Sequence, residues 1–196
     1  MPPKNKYTRE EIIAAAVELT RERGFAAVTA RDVGEMLHTS SKPVYTAFEN
    51  MEELKAEVLL EAERRYQQYV TREQQSQAYL PYKAMGMAYV RFAAEEKGLF
   101  RLLYMRDRSG ETQEGSGKMT YATAIDTVQT QTGLNTEMAQ LFHAEMWIFV
   151  HGIATMLATS YMDWDFDLIS RMMTDVYNGL GIAIKTEGEE HHEEHH

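Results

Sequence analysis

Apolar residues recur at intervals of three and four near the start of the chain, at Ile12, Ala16 and Leu19, and charged residues take the positions between them. This period is typical of an amphipathic helix with one face against a core. Gly24 predicts the end of this helix, because glycine enters the left-handed backbone region without steric cost.

Two shorter helices are predicted directly after it. The Thr29 hydroxyl can cap a second helix over 30–37, and a turn at His38 then leads to Ser40, which can cap a third helix ending near Phe48. Pro43 falls in the first turn of this third helix, where its missing amide donor costs little.

The spacing divides the third helix into an apolar and a polar face. Val44, Ala47 and Phe48 share the inner face, and the outer face carries short polar or aromatic tips at Ser41, Lys42, Tyr45 and Thr46. Such a surface suits contacts to a DNA groove and its phosphates. A small polar helix that is merely solvated fits the same pattern, so the pattern alone leaves both interpretations open.

The residues that build these three helices resemble the TetR family of transcriptional regulators over about the first quarter of the chain. The matching positions are Ile12–Ala16, Arg21–Phe25, Thr29, Arg31–Val33, Ser40, Val44–Tyr45, Phe48 and Glu52–Leu54. The resemblance implies a helix-turn-helix whose third helix enters the major groove. It also implies a homodimer that presents two copies to a pseudo-palindromic operator.

Carried over by position, the resemblance implies phosphate contacts from Thr29 and Tyr45, with Lys42 beside them. It implies base-edge or thymine-methyl contacts from Thr39, Ser41, Pro43 and Thr46. The whole implied DNA-binding set is Thr29, Arg31, Thr39, Ser40, Ser41, Lys42, Pro43, Tyr45 and Thr46.

Two positions depart from the family pattern. His38 stands where the turn usually has glycine, and Met51 stands where the fourth helix often begins with lysine. We therefore expect His38 to hold a left-handed turn, which histidine tolerates better than bulkier residues. Without the lysine, operator affinity should depend more on Lys4, Lys6, Arg31 and Lys42.

Charge is distributed unevenly along the chain. The formal net charge is −10, but residues 1–50 carry equal numbers of basic and acidic side chains, so the excess acid lies in the remainder. The predicted DNA end can still be locally basic if its glutamates face away. A strong non-specific DNA binder is not indicated.

The composition excludes further classes of protein. The chain has 196 residues and no cysteine, so it offers neither disulfides nor thiol chemistry. No signal peptide and no apolar run of the length needed to span a bilayer is found, which predicts a cytoplasmic protein with no membrane partner.

The periodicity of the remaining chain predicts further helices and no strands. The fold class is therefore all-α with about nine helices, in three parts: a DNA-binding domain over 1–50, a helical ligand-binding and dimerisation domain over 51–186, and a disordered Glu/His-rich tail over 187–196. Thr136 and Asp165 are candidate caps for the eighth and ninth helices. The tail could bind a transition metal weakly, but we predict no metal site and no cofactor.

The eighth helix carries a second resemblance. Its stretch from Trp147 to Gly152 is similar to a tryptophan, histidine, glycine signature found in the C-terminal ligand-binding domain of one subgroup of TetR regulators. Trp147 and His151 lie four residues apart and so share one helix face. We predict an effector site for a small hydrophobic or aromatic molecule, lined by Met87, Tyr89, Tyr104, Met105, Tyr121, Trp147 and His151. Ordinary core packing, with His151 as a hydrogen-bonded core histidine, would produce the same stripe.

The last two helices carry more apolar residues than one internal face can bury, which predicts a homodimer formed through them. The family implies a repressor that its effector releases from DNA. The alternative is an all-helical small-molecule-binding protein or enzyme built around His151, Asp163 and Asp165. The chain lacks phosphate-binding glycine loops, cysteine nucleophiles, nucleophile-elbow serines and a Glu-flanked pair of histidines on one helix, so we predict that it is not an enzyme.

Overall fold

The computed structural model describes residues 7–107 and 116–193, and within them it leaves out the side chains of 116–120 and 185–193. Every regular element in these ranges is helical, which confirms the all-α prediction. The nine α-helices are α1 (Arg9–Arg23), α2 (Ala30–Met36), α3 (Lys42–Ala47), α4 (Met51–Ser76), α5 (Pro81–Glu95), α6 (Lys97–Tyr104), α7 (Ser116–Thr132), α8 (Thr136–Ala158) and α9 (Phe166–Glu193).

The chain forms two compact units. The first contains Met1–Tyr69 and Arg91–Asp107, and the second contains Val70–Val90 and Arg108–His196. This division differs from the expected boundary at residue 50, because α6 packs on α1. A Cβ added at Gly98 of α6 would lie 2.4 Å from the Thr20 carbonyl oxygen.

The first helix is fixed at both ends by local interactions. Thr8 and Glu11 form a reciprocal capping box at its start, where each side chain satisfies a backbone amide of the other residue. Gly24 ends the helix with φ +85°, as the sequence predicted. A single 3₁₀ turn, Phe25–Ala27, then leads toward α2.

Helices α2 and α3 form the predicted helix-turn-helix. The Thr29 hydroxyl accepts from the Asp32 amide at 3.1 Å, which confirms the predicted cap. His38 has φ +53°, so it holds the left-handed turn expected of it. The cap of α3 is Ser41 rather than Ser40, and the Ser40 hydroxyl accepts only a long 3.4 Å bond from the Lys42 amide.

In the second unit the sequence predicted the cap of α9 correctly and placed the cap of α8 one residue too late. Asp165 accepts from the Leu168 amide at 2.7 Å, which confirms it as the cap of α9. At α8 the cap is Asn135, one residue before the predicted Thr136. The Asn135 side chain reaches the Met138 amide at 2.9 Å, and Thr136 is already helical.

Helix α9 continues to Glu193, whereas the sequence predicted disorder from residue 187. Extending an existing helix costs much less than starting one, and glutamate is a good helix former, so the acidic segment can continue the helix. The last three residues of the predicted tail lie outside the described residues, as do residues 108–115 between α6 and α7.

Within the described residues one helix, α8, is long and apolar enough to cross a membrane by length and composition alone. The sequence had predicted no apolar run of this length. A core helix of a globular protein meets the same criterion, and α8 buries Phe142, Met146, Ala154 and Leu157 against its unit. Helix α8 is thus not a clear membrane span.

Candidate functional site

The predicted DNA-binding residues lie on one continuous segment from the start of α2 to the end of α3, and all nine are at least partly exposed. Val44 and Phe48 of α3 are buried, which orients the opposite face outward. Tyr45 lies on that face with 61% of its surface exposed. Val44, Phe48 and Tyr45 therefore lie on the sides of the third helix predicted for them, whereas Ala47, predicted on the inner face, is only half-buried.

The hydroxyl groups of Thr29 and Thr46 on this surface already have local partners. The Thr46 hydroxyl donates to the Lys42 carbonyl at 2.9 Å, one turn earlier in α3. The Thr29 hydroxyl donates to the Asp32 carboxylate while it caps α2. Each hydroxyl oxygen keeps a lone pair, so these threonines can still accept from a donor or offer a methyl group.

The basic side chains differ in how readily they can turn to a phosphate. Arg31 pairs with Glu35 at 3.0 Å, but both side chains are largely exposed, so this pair contributes little stability. Lys42 is also exposed. Lys4 and Lys6, the other cations expected to matter here, lie outside the described residues.

Arg9 is a positioning residue that the sequence analysis missed. Its guanidinium lies 4.1 Å from the centre of the Phe48 ring and donates to the Ala47 carbonyl at 3.0 Å, at the end of α3. It also pairs with Glu53 at 2.9 Å and Glu57 at 2.8 Å on α4. One side chain of α1 thus joins the end of α3 to the start of α4.

The second unit contains a group of rings that we call the histidine–aromatic cluster: Tyr82, Tyr89, Tyr121, His143, Trp147 and His151. Its centre is a row on one face of α8. Trp147 stacks on His151 with centroids 6.0 Å apart and an interplanar angle of 18°, and His143 lies 6.2 Å from Trp147. This row of rings was predicted for Trp147 and His151 from their spacing, with His143 one turn earlier.

Two tyrosines of α5 each reach one histidine of the row. The Tyr89 hydroxyl lies 2.8 Å from the His151 Nδ1, and the Tyr82 hydroxyl lies 2.8 Å from the His143 Nδ1. The Tyr89 ring also contacts Trp147, with centroids 4.7 Å apart. Tyr82 was not among the predicted site residues, and its signal was its position one heptad before Tyr89 on α5.

Burial changes the acid–base behaviour of this cluster. Desolvation lowers the pKa of both His143 and His151 below the ordinary 6.5, because the imidazolium form loses hydration. Desolvation also raises the pKa of Tyr82 far above its ordinary value, and so keeps the phenol protonated. At neutral pH the cluster is therefore an uncharged hydrogen-bonding surface.

The other predicted ligand residues are distributed between the two units. Met87 is completely buried in the second unit, and Tyr121 of α7 packs edge-on against His143 with centroids 5.3 Å apart. Tyr104 and Met105 belong to the first unit. There Tyr104 packs against Phe100 at 5.1 Å and Tyr66 at 5.9 Å.

Helices α8 and α9 each leave apolar residues exposed. The largest are Ile148 with 72% of its surface exposed and Ile182 with 69%, and the set is Leu141, Ile148, Met156, Leu168 and Ile182. Gly152 follows Ile148 by four residues, and a Cβ added there meets no atom within 4 Å. These positions of α8 and α9 form an apolar surface that the protomer itself does not cover.

Over the described residues no three histidine, aspartate or glutamate side chains lie close enough together to hold a metal ion.

Two protein-family models match the chain. Residues 12–58 match the model "Bacterial regulatory proteins, tetR family", and residues 82–176 match the model "Tetracyclin repressor-like, C-terminal domain". The first spans the helix-turn-helix and the second spans most of the second unit, including α8. In a comparison with curated proteins none matched the chain.

Proposed function

Because the chain belongs to the TetR family of transcriptional regulators, we propose that it is a cytoplasmic repressor that binds a pseudo-palindromic operator as a homodimer and is released by a small effector. The observation that carries this proposal is the helix-turn-helix with Lys42 and Tyr45 exposed on α3. Residues 1–50 of the chain carry no net charge, which favours binding to a specific operator over tight non-specific binding.

For the DNA interface we propose that Tyr45, Lys42 and Thr29 contact phosphates, supported by Arg31, and that Thr39, Ser41, Pro43 and Thr46 face the bases. Ser40 lies between these two groups. All of them lie along the exposed side of α2, the turn and α3. A phosphate contact fixes register, whereas base-edge contacts carry sequence preference.

The DNA interface is tested by measuring operator affinity for Lys42→Ala and Tyr45→Ala as a function of salt. Each phosphate contact contributes about −0.9 to the slope of log affinity against log salt, so Lys42→Ala in both subunits should make the slope shallower by about 2. Tyr161→Ala, which changes an exposed tyrosine of the second unit, is the matched control. An unchanged slope and affinity for both α3 variants would show that this surface is not the interface.

For the effector we propose a site around Trp147 and His151, with Tyr89, Tyr121 and Met87, all in the second unit. The support is an uncharged aromatic surface in which Trp147 keeps 39% of its area exposed. We also propose that Trp147, His151 and Gly152 place the chain in the subgroup whose C-terminal domains carry this signature.

We propose that effector binding in the second unit acts through α4, which passes from the first unit into the second at Val70. A shift of α4 would reset the spacing of the two α3 helices in a dimer. Coupling between two sites is typically about 1–3 kcal/mol, which would weaken operator binding roughly 5- to 150-fold.

The effector site is tested with Trp147→Ala and His151→Ala once a releasing compound is found by screening against the operator complex. Both variants should bind operator like the wild-type protein and require more compound for release. If both variants bind operator and are released by the same concentration of compound as the wild-type protein, the site lies elsewhere.

The first experiment is binding to the DNA upstream of the gene that encodes the chain, measured by mobility shift at two salt concentrations with competitor DNA. Saturable binding that resists competitor supports the regulator and supplies the operator for screening. Weak binding that modest salt abolishes contradicts it and favours a helical ligand-binding protein or enzyme.

A further inference from the structure

The second tyrosine–histidine pair, Tyr82 and His143, has a defined proton arrangement. The Tyr82 side chain is buried, and over the described residues its hydroxyl has the His143 Nδ1 as its one hydrogen-bond partner, at 2.8 Å. A buried phenol that donated to nothing would lose the full value of that hydrogen bond. The phenol therefore donates and the imidazole nitrogen accepts.

This arrangement fixes the tautomer of His143. A neutral imidazole carries one proton, so accepting at Nδ1 places the proton on Nε2. The Nε2–H group then points away from Tyr82 across the ring. Over the described residues Nε2 has no hydrogen-bond acceptor, and no charged side chain bonds to His143 or Tyr82.

The rings around His143 provide the rest of a recognition surface. Tyr121 stands edge-on to His143 at 5.3 Å, and Trp147 lies 6.2 Å away on the next turn. Both are substantially exposed, Tyr121 by 46% and Trp147 by 39%, so this side of the cluster is open. A flat apolar molecule can cover these rings while one of its acceptors meets the Nε2–H group.

We propose that His143, held by Tyr82, is a specificity-determining donor for a neutral planar aromatic ligand that carries a hydrogen-bond acceptor such as a carbonyl oxygen. This inference rests on the proposed effector site and adds to it the residue pair Tyr82–His143 and the class of ligand. A neutral acceptor is favoured over a carboxylate because no cation is bonded to the pair to compensate a negative charge.

The test compares two probes of matched shape, 2-acetylnaphthalene and 2-ethylnaphthalene, by equilibrium dialysis against the full chain. The informative quantity is the affinity ratio of the two probes, because their difference in hydrophobicity cancels when the ratio is compared between proteins. In the double variant Tyr82→Phe/His143→Phe the acetyl-to-ethyl ratio should fall roughly threefold to tenfold, the value of one hydrogen bond. Replacing both partners leaves no buried hydroxyl without a partner, so the fold is preserved.

The matched control is Tyr89→Phe/His151→Phe, which removes the neighbouring pair. It should alter the affinity for both probes together and leave their ratio as in the wild-type protein. A ratio that stays constant in Tyr82→Phe/His143→Phe, an equal fall in the control, or a failure of both probes to bind the wild-type protein overturns the inference. Binding of 2-naphthoate in preference to 2-acetylnaphthalene overturns the assignment of a neutral ligand.

Nitrogen-15 NMR of the imidazole rings tests the proton arrangement directly. The His143 Nε2 should show a protonated-type shift and the Nδ1 a pyridine-type shift at pH 7.5, and the reverse pattern would contradict the inference.

A mobility shift with operator DNA, run on the same samples, separates this inference from the proposed regulatory function. If the protein binds operator but the affinity ratio does not change in the variant, only the proposed role of His143 is contradicted. If the ratio changes as expected but the protein does not bind operator, only the proposed regulatory function is contradicted.

Discussion

Gly34 is the residue on which the helix-turn-helix turn most directly depends. A Cβ at this position would lie 2.8 Å from both the carbonyl carbon and the carbonyl oxygen of Ser40. The Gly34 carbonyl also accepts from the Thr39 amide at 2.8 Å, so the backbone on both sides of the turn is fixed. Any side chain here must push α2 and α3 apart.

We predict that Gly34→Ala lowers the free energy of unfolding by about 1–3 kcal/mol, the usual cost of forcing extra volume into a packed region. Urea denaturation measures this, and operator affinity should fall with it because the turn orients α3. Gly181→Ala is the control: a Cβ there meets nothing within 4 Å, so it should raise stability by up to about 1 kcal/mol. Equal effects of the two substitutions would show that the contact with Ser40 is not what Gly34 provides.

The two histidines of the histidine–aromatic cluster predict a pH dependence of stability. Their pKa values are lowered by burial, so the unfolded chain takes up protons first as the pH falls through 6.5. The stabilisation is therefore complete above about pH 6.5 and is lost as the pH falls toward the folded-state values. Unfolding by urea at pH 7.5 and 5.5 should show a larger loss for the wild-type protein than for the variant with both tyrosine–histidine pairs replaced by phenylalanine. Equal losses would mean that these rings titrate normally.

At the scale of the elements, Arg9 connects three helices of the first unit. Its contacts to Ala47, Phe48, Glu53 and Glu57 hold the end of α3 and the start of α4 against α1. The same carboxylate that pairs with Arg9 also accepts from the Glu49 amide, and these two interactions lower the pKa of Glu53. The loop between α3 and α4 is thus held from both sides.

We predict that Arg9→Met weakens operator binding with little change in helical content or in subunit association, because α3 stays formed but is less firmly held. Anisotropy with labelled operator measures the affinity, and circular dichroism and sedimentation check the other two. Arg64→Met, which removes the ion pair between an exposed arginine and Glu61 on α4, is the matched control and should bind like the wild-type protein. If Arg9→Met binds operator normally, Phe48 and Val44 alone suffice to orient α3.

The local features of these elements were predictable, whereas their partners were not. Thr29, Gly24 and His38 were identified correctly because caps and turns depend on residues within a few positions. Arg9 and Gly98 were missed because their partners lie far along the chain, and periodicity shows which face of a helix is buried but not against what. The stacked Trp147 and His151 were predicted from a four-residue spacing, but Tyr82 and His143 come from different helices.

The sequence prediction also treated the chain as a short DNA-binding domain followed by a longer one. In the structure α6 belongs with α1 instead, because Glu96 pairs with Arg21 at 2.6 Å and Gly98 brings the two backbones close. Nothing in the periodicity of α6 distinguishes this from packing within the second unit.

At the scale of the whole molecule, the protomer leaves an apolar surface on α8 and α9 exposed. It includes Leu141, Ile148, Met156, Leu168 and Ile182. Apolar residues exposed together on two long helices typically mark an interaction surface. We propose that a second copy of the chain covers this face, since a twofold interface would present two α3 helices to the two half-sites of a palindrome. The support is the exposure of the face and its placement on the last two helices.

Ile148→Asp is therefore predicted to shift the protein from dimer to monomer, because the charge would be buried without a partner at the centre of the interface. Sedimentation velocity measures the shift, and operator affinity should fall in parallel, since one half-site alone binds weakly. Leu80→Asp changes an equally exposed residue that precedes α5 and belongs to neither α8 nor α9, and should leave the dimer intact. Gly152→Ala is more discriminating: its added Cβ meets no atom within 4 Å in the protomer, so any loss of dimer comes from the partner's approach. A dimer that tolerates both Ile148→Asp and Gly152→Ala would assemble through another surface.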